Sequence, residues 1–277
     1  MNDTGLRICG VTAGYGRAPV LQGVDLAVPP ARFTALIGPN GCGKSTMLRV
    51  LAGQIRCTRG RVTLDGADIA RQPARALARR IGILAQSAEA PEGLTVGELV
   101  RQGRYPHRSL LGGWREADTL AVEEALALTG ISHLRHRRLD TLSGGQRQRA
   151  WIAMTLAQQS GILLLDEPTT FLDLAHQIEV LSLVRRLVRE RQTTVVAVLH
   201  DLNQAARHAD HMVMLKAGTI RTGGDPATVL TGNAVRDVFG VETVVIADPE
   251  AGTPMCIPRR DPAIEMSRDM SDGAPHA

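Results

Sequence analysis

Apolar and polar residues alternate near the start of the chain and then give way to short, continuous apolar runs. In LQGVDLAVPP the apolar positions Val24, Leu26 and Val28 recur every second residue, which predicts a half-buried strand. FTALIG, residues 33–38, is a continuous apolar run that stops at a glycine, and KSTMLRVLAG soon after it has helical spacing. This part of the chain predicts a strand, a loop and a helix in succession, and RVTLDG predicts a further strand that ends in a turn.

Residues 96–158 have a different, helical spacing. VGELVRQGR, EADTLAVEEALALTG and QRQRAWIAMTLAQQ consist mostly of good helix formers. The block therefore predicts a helical insertion between the strands that precede it and those that follow.

Two buried strands with a helix between them come after this block. GILLLDEP, residues 161–168, is apolar until it ends in acids, as expected of a central parallel strand. HQIEVLSLVRRLVRE carries its apolar residues on one helical face, and TTVVAVLHD predicts the second strand. A short helix in NQAARHA and a hairpin turning at Ala217 and Gly218 complete the pattern. Strands that alternate with helices predict an α/β domain with a mostly parallel sheet.

The composition is that of an ordinary globular protein. The chain has 277 residues, of which 44% are hydrophobic, and no apolar run approaches the ~18 residues that cross a bilayer. Neither a signal peptide nor a paired-cysteine site is predicted, because the N-terminus is polar and the four cysteines have no C-x-x-C spacing. The net charge of +4 comes from dispersed arginines with only 3% aromatic residues, which disfavours nucleic-acid binding. These features predict a cytosolic protein.

A phosphate-binding loop is the first chemical motif. GPNGCGKST matches G-x-x-x-x-G-K-[ST] and stands where the motif requires, after an apolar strand and at the start of a helix. The glycines let successive backbone N–H groups point at phosphate, Lys44 would reach the β- and γ-phosphates, and the Ser45 hydroxyl would bind Mg²⁺. The alternative is a glycine turn that matches by chance. The candidate nucleotide contacts in this loop are Gly38, Pro39, Asn40, Gly41, Cys42, Gly43, Lys44, Ser45 and Thr46.

The acids that end ILLLDE supply a second part of the same site. Ligands of open α/β sheets bind at the carboxyl ends of the strands. Asp166 would hold the Mg²⁺ ion, and Glu167, which we expect to point differently because side chains alternate along a strand, would polarise an attacking water. The alternative is that both acids cap the following turn.

Two further polar residues follow apolar runs. His200 ends the next buried strand and would emerge at the same edge as the two acids, where it could contact the γ-phosphate or orient the water. Gln86 follows IGILA and could sense Mg²⁺ or water. Taken alone, a histidine at a strand end is more often structural, and a glutamine is more often an ordinary surface residue.

LSGGQRQRA, from Leu142 to Ala150, places two glycines at the start of a predicted helix, although glycine costs roughly 1 kcal/mol against alanine in a helix interior. A hydroxyl, two glycines that permit close approach and a helix N-terminus together suit an anion. A serine-capped helix with a glycine turn explains the pentapeptide on its own nearly as well.

These motifs, taken in order, resemble the nucleotide-binding subunits of ATP-binding cassette (ABC) transporters. The resemblance rests on the phosphate loop, the glutamine after a strand, LSGGQ, ILLLDEPTTFLD and the final histidine, and it covers roughly residues 6–258. It implies a head-to-tail dimer in which each ATP lies between the phosphate loop of one chain and the LSGGQ of the other. Tyr15 then matches the residue that stacks on adenine. The residues implied to contact the partner's ATP are Ser143, Gly144, Gly145, Gln146 and Asp173.

The resemblance also implies the organisation of the chain. We expect a P-loop NTPase core with a mostly parallel sheet, an antiparallel β subdomain and an inserted helical subdomain. The expected nucleotide-binding domain covers residues 4–240, with the helical subdomain at about 90–158. A C-terminal extension at 241–260 and a disordered tail at 261–277 follow.

A finer resemblance concerns the transported molecule. GRYPHRSLLGGW and TTFLDLAHQIEVL, with Phe171 where many cassettes have a small residue, look like the ATPases of ferric-siderophore importers. This implies ATP and Mg²⁺ as ligands, and as partners a second copy, a membrane permease and, indirectly, a substrate-binding protein. The expected location is the cytoplasmic face of the inner membrane. Heme or cobalamin import, export, and a non-transport role such as an iron–sulfur assembly scaffold remain alternatives.

Overall fold

The structure is a computed structural model that describes residues 4–16, 18–85, 93–108, 113–170 and 172–259. Gln86, Phe171 and the predicted tail at 261–277 lie outside the described residues.

The strands comprise those predicted from the apolar runs and others, at residues 6–13, 67–68, 243–247 and 254–258, that were not predicted. In chain order they are β1 (Leu6–Ala13), β2 (Leu21–Ala27), β3 (Phe33–Ile37), β4 (Arg59–Leu64), β5 (Ala67–Asp68), β6 (Ile81–Leu84), β7 (Ile162–Leu165), β8 (Thr194–Val198), β9 (His211–Lys216), β10 (Thr219–Gly224), β11 (Thr243–Ala247) and β12 (Pro254–Pro258).

The helices comprise those predicted from the spacing and others, at residues 74–78, 226–229 and 232–239, that were not predicted. They are α1 (Lys44–Leu51), α2 (Ala74–Ala78), α3 (Val96–Gln102), α4 (Glu116–Leu128), α5 (Gly144–Ala157), α6 (Leu174–Arg191), α7 (Leu202–His208), α8 (Pro226–Val229) and α9 (Gly232–Phe239). Among the described residues, none of these helices is long and apolar enough to cross a membrane.

The central sheet has the strand order β10-β9-β3-β8-β7-β6. Its pairs are parallel except for the β9–β10 hairpin, which confirms the predicted mostly parallel sheet. Each residue of β3, β7 and β8 is buried, as befits strands covered on both faces. Because parallel strands share a direction, the loops after β3, β7 and β8 leave the sheet at one edge.

A second sheet is antiparallel, with the order β2-β1-β4-β5. In β2, Leu21, Val24 and Leu26 are buried while the remaining residues are exposed, which confirms a half-buried strand. The apolar face of this antiparallel sheet packs on α1 in one hydrophobic cluster that contains Met47 and Leu48. This packing fixes α1, and with it the loop that precedes it, against two sheets.

Helices α3, α4 and α5 pack around a hydrophobic cluster of their own. Its members include Leu99, Val122, Leu126, Ile131 and Ala153, and they come from within residues 96–157. A helical unit between β6 and β7 agrees with the predicted insertion, while the exact domain limits stay a prediction.

A buried ion pair holds this helical unit together. Arg104 follows α3, and its Nε donates to Asp118 of α4 at 2.9 Å, with about 5% of each side chain exposed. The same guanidinium donates to the carbonyl of Ala157 at the end of α5. Burial alone would raise the pKa of the Asp118 carboxyl, but hydrogen bonds from Arg104 and from the Arg115 backbone outweigh it and lower that pKa.

The segment after Arg104 joins the helical unit to the core. The Pro106 carbonyl accepts hydrogen bonds from Arg75 Nε at 2.9 Å and Arg79 Nε at 2.8 Å, both from the region of α2. His107 Nε2 donates to the Gln158 carbonyl at 2.8 Å, because a carbonyl can only accept. Polar contacts therefore span the junction between the two packing units.

Residues after α9 form a hairpin that is anchored to α7. The side chain of Asn203 binds both backbone groups of Cys256, with its Oδ1 accepting at 2.7 Å and its Nδ2 donating at 3.2 Å. Arg207 pairs with Asp248 at the other end of the hairpin. The expected C-terminal extension is thus tied to the helix that follows His200.

We predict that Asp118→Asn lowers the free energy of unfolding by about 3–5 kcal/mol at pH 7, because it leaves the Arg104 charge buried without its carboxylate. The lowered pKa of Asp118 means that its ion pair stabilises the fold above the unfolded-state pKa and is lost as the pH falls through the folded one. Chemical denaturation should therefore show that the difference in the free energy of unfolding between the unchanged protein and Asp118→Asn shrinks below about pH 4.

Asp140→Asn is the matched control, since Asp140 pairs with Arg138 where about half of each side chain is exposed. It should cost under about 1 kcal/mol. If both variants lose the same free energy of unfolding, the buried ion pair stabilises the fold no more than the exposed one.

Candidate functional site

The phosphate loop lies between β3 and α1, and its backbone turns into the helix at Gly43. Gly43 has φ +107°, and a Cβ there would stand 2.9 Å from Leu21 Cδ2, so only glycine fits without strain. The first turn of α1 leaves the backbone N–H groups of Lys44, Ser45 and Thr46 without intrahelical acceptors. These donors, at the positive end of the helix, make an anion site.

The Lys44 ammonium lies inside the loop. Its Nζ donates to the carbonyls of Gly38 at 2.7 Å and Pro39 at 2.9 Å, and only 5% of the residue is exposed. The charge is therefore held beside the anion site by the loop itself.

Ser45 and Asp166 meet across the end of the sheet. Ser45 Oγ donates to Asp166 Oδ1 at 2.8 Å, although 121 residues separate the two in sequence. Burial raises the pKa of the Asp166 carboxyl, and the Ser45 hydrogen bond offsets part of that rise. A hydroxyl and a carboxylate are oxygen donors of the type that Mg²⁺ prefers, so this pair fits the ion expected from the sequence.

Glu167 is turned toward the loop by its backbone. Strand β7 ends at Leu165, so the alternation expected along a strand does not separate Asp166 from Glu167. Instead Glu167 adopts φ +52°, a left-handed conformation that is uncommon for non-glycine residues and concentrates at functional sites.

Two neighbours orient the Glu167 carboxylate. His200 Nε2 lies 2.8 Å from Oε1, and Thr170 Oγ1 donates to Oε2 at 3.0 Å. His200 comes two residues after β8 ends, so the sheet edge brings it to Glu167 as predicted. Sequence reasoning missed Thr170, and its only signal was a hydroxyl three residues after the acid.

A cavity of about 510 Å³ joins these groups. Its lining combines the phosphate loop with the carboxylate and the histidine. The residues are Val20, Asn40, Gly41, Gly43, Lys44, Ser45, Thr46, Glu167, Thr170 and His200. A cationic amine, helix N–H groups and an oriented carboxylate around one space can hold a polyphosphate and direct a water at it.

The Cys42 side chain faces away from this cavity. It is 5% exposed and belongs to the hydrophobic cluster beneath the loop, where a Cβ on Gly38 would lie 2.7 Å from its Sγ. Burial also raises the pKa of the Cys42 thiol. The residue offers its backbone to the loop, while its sulfur fills the core.

Tyr15 lies on the surface beside α1. Its side chain is exposed, and its hydroxyl accepts a hydrogen bond from Arg49 Nη1 at 2.9 Å. This contact restrains an otherwise solvent-facing ring. Stacking of that ring on adenine stays a prediction.

LSGGQ forms the capped start of α5. Ser143 Oγ accepts from the Gln146 backbone N–H at 3.3 Å, and Gln146 Oε1 accepts from the Ser143 N–H at 3.2 Å. This is a capping box. Gly144 opens the helix, and Gly145 is buried against His176.

Asp173 caps the next helix, α6. Its Oδ1 accepts from the His176 backbone N–H at 2.9 Å and lies 2.7 Å from His176 Nδ1. None of the described residues that line the cavity belongs to LSGGQ or to this cap. Sequence reasoning also missed His176, whose signal was its place three residues after the capping acid.

Comparison with known proteins gives a consistent result. The sequence model of the ABC transporter family matches residues 21–170. A ferric enterobactin transport ATP-binding protein of Escherichia coli is 49% identical over 260 residues, covering 93% of this chain and 96% of that one. An achromobactin transport ATP-binding protein of Dickeya dadantii is 49% identical over 248 residues, covering 90% and 92%. A hemin import ATP-binding protein of Gloeobacter violaceus is 41% identical over 260 residues, covering 91% and 94%.

Solved structures agree on the fold. An inward-facing conformation of an ABC transporter of the metal-chelate type contains a chain with a TM-score of 0.81 and 29% identity, covering 94% of this chain and 98% of that one. The dimeric structure of a bacterial ABC transporter cassette gives a TM-score of 0.71 at 29% identity, covering 79% and 98%.

We predict that iodoacetamide alkylates Cys42 at least about tenfold more slowly than Cys9, because a buried thiol of raised pKa supplies little accessible thiolate. Nucleotide should slow it further, since phosphate bound to the loop opposes the opening that exposes the sulfur. Peptide-resolved mass spectrometry measures both rates in one sample, and Cys9 serves as the internal control. Equal Cys42 rates with and without ATP would contradict this.

Proposed function

The chain belongs to the ABC transporter family, and we propose that it is the ATP-hydrolysing subunit of an importer of ferric siderophores. One observation carries the hydrolytic role: the Glu167 carboxylate, held by His200, lines the same cavity as the phosphate loop. An oriented carboxylate next to a phosphate site is the arrangement that activates water for attack on a γ-phosphate.

Each group at the site has a role in phosphoryl transfer. The first-turn N–H groups of α1 bind the phosphates, and Lys44 offsets the negative charge that they carry. Glu167 accepts the proton of the attacking water, while His200 and Thr170 keep its carboxylate in place. Ser45 and Asp166 would hold Mg²⁺, which neutralises phosphate charge; Gln86, the third expected contact, lies outside the described residues.

The second half of the site comes from another copy of the chain. LSGGQ and Asp173 do not line the cavity of their own chain within its described part, yet Ser143 and Asp173 present polar groups at two helix N-termini. In a head-to-tail dimer these groups reach the partner's ATP. The serine hydroxyl and the N-terminus of α5 then add donors to phosphates already held by the partner's loop.

A groove of about 880 Å³ supports the docking of a permease. Ile55 and Leu77 line it from the core, and Met154 and Tyr105 line it from the helical unit. Tyr105 is 78% exposed, which is unusual for a ring of that size. A concave surface that combines these apolar side chains with polar ones fits a short helix of a membrane partner, which would hold the subunit at the cytoplasmic face of the membrane.

The substrate assignment rests on the relatives. Two of those described above are ATP-binding proteins for enterobactin and achromobactin transport, each 49% identical to this chain, whereas the hemin import protein is 41% identical. The transported molecule is selected by other subunits, so this assignment is an analogy. Hemin or cobalamin import is the second candidate.

We predict that Glu167→Gln still binds ATP but nearly stops its hydrolysis, because an amide cannot accept the water's proton. The variant should accumulate as an ATP-bound dimer, measured by phosphate release and by size-exclusion chromatography with light scattering. Glu190→Gln, on the exposed face of α6, is the control that should behave as the unchanged protein. In cells, the Glu167 variant should also lose uptake of radioiron-labelled siderophore.

Ordinary turnover by Glu167→Gln would remove that residue from the role of base. If cells with the Glu167→Gln variant keep siderophore uptake but lose hemin uptake, the transported substrate would be hemin, the second candidate. A chain that is found only in soluble complexes after detergent extraction would favour a non-transport role.

We predict that Tyr105→Asp abolishes co-purification with the permease in detergent while ATP binding by the isolated subunit is retained. The change removes an exposed ring from the groove and adds a charge to an apolar contact. Leu120→Asp is the matched control, since Leu120 is an exposed apolar residue of α4 outside the groove lining. Equal loss in both variants would argue against this groove as the docking surface.

A further inference from the structure

We propose that His176 is a positioning residue that holds the start of α5 and Asp173 in one fixed arrangement, so that both reach the partner's ATP together. The inference rests on the proposed function, because it concerns the half-site that this chain offers to a second copy. It attributes the glycine at position 145 to a contact within the chain.

The imidazole of His176 occupies the space where a side chain at position 145 would lie. A Cβ on Gly145 would stand 2.6 Å from His176 Cδ2, 2.9 Å from Cγ and 3.1 Å from Nε2. Gly145 lies within a regular helix, so its backbone conformation does not call for glycine. The close approach of the His176 ring is what favours glycine at position 145.

Asp173 keeps this ring from moving aside. Its Oδ1 lies 2.7 Å from His176 Nδ1, and a carboxylate can only accept, so Nδ1 carries the proton of this bond. Hydrogen bonds from the His176 backbone and then from its side chain lower the pKa of the Asp173 carboxyl. The imidazole is thus bonded on one side and packed against the α5 backbone on the other.

A second contact between the two helices lies one turn further along. Arg149 of α5 pairs with Glu179 of α6 at 3.3 Å, and Ile152 and Val180 share a hydrophobic cluster behind them. The contact of His176 with Gly145 lies nearest the N-termini of both helices. About 31% of the His176 side chain is exposed, and 67% of the Asp173 side chain is, so the carboxylate remains open to a partner.

Two explanations of Gly145 therefore make different predictions. If the partner's phosphate needs the space, alanine at this position is harmful whatever stands at 176. If the imidazole needs the space, removing the ring should make alanine tolerable. The pair of positions allows a direct test, because the two single changes and the double change can be compared.

The experiment has two measurements. ATP turnover is measured in chains that keep Glu167 and carry changes at positions 145 and 176. ATP-dependent dimerisation is measured with the same changes in chains that also carry Glu167→Gln. Gly145→Ala should lower turnover and dimer affinity on the order of tenfold to a hundredfold, as misplacement of site groups does. His176→Ala should have a smaller effect. Adding His176→Ala to Gly145→Ala should restore both values to those of His176→Ala alone.

A conservative variant separates positioning from packing. His176→Asn can still donate to Asp173, whereas His176→Leu fills the space without donating, so we expect His176→Asn to keep more of the turnover than His176→Leu. His133→Ala, at an exposed histidine of the helical unit, is the control for loss of a histidine. Thermal unfolding of every variant shows that the comparison is made on folded protein.

A double variant as poor as Gly145→Ala would overturn the inference, as would a His176→Leu protein equal to His176→Asn. These failures differ from a failure of the proposed function. If Glu167→Gln forms no ATP-bound dimer at all, the proposed function fails. If that dimer forms and the His176 variants match the unchanged protein, only the role of His176 fails.

Discussion

The parallel register of β3, β7 and β8 is the constraint on which the candidate site depends. Leu36 of β3 pairs with Val198 of β8, and Leu165 of β7 pairs with Ala197 of the same strand. The three strands therefore end at nearly one level, and a few residues beyond each end suffice to bring the loop, the acids and the histidine together. Because these strands are buried on both faces, a shift of register would leave buried backbone groups unpaired, which keeps the strand ends aligned.

This constraint explains which parts could be predicted from the sequence. Strand ends are visible as apolar runs that stop at polar residues, so the pattern alone places Ser45, Asp166 and His200 at one edge of the sheet. The direction of Glu167 could not be predicted, because its left-handed backbone is set by a turn and by contacts with residues distant in sequence. We expected alternation along a strand to set this direction. That reason was wrong, because β7 ends at Leu165, before both acids.

Side-chain directions within motifs were also beyond the sequence. The motif put Cys42 in the phosphate loop, but whether its sulfur faces phosphate or core depends on what packs beneath the loop. In the same way, LSGGQ predicted a helix start with two glycines, and both the anion site and the capped helix remained open. The structure has the cap, and the contact of Gly145 with a histidine of another helix follows only from the packing of α5 against α6. Resemblance to a family located the motifs, and tertiary packing decided how each residue in them points.

The groove that contains Tyr105 has walls that belong to two separately packed bodies. One wall is part of the hydrophobic cluster behind α1, and the other is built on the helical unit with its own cluster. Hydrogen bonds from Arg75 and Arg79 to the Pro106 carbonyl, together with the His107 contact, join the two bodies beside it. The width of the groove therefore changes with the angle between the two bodies. A rigid helix seated there would sense any rotation of one body against the other without touching nucleotide.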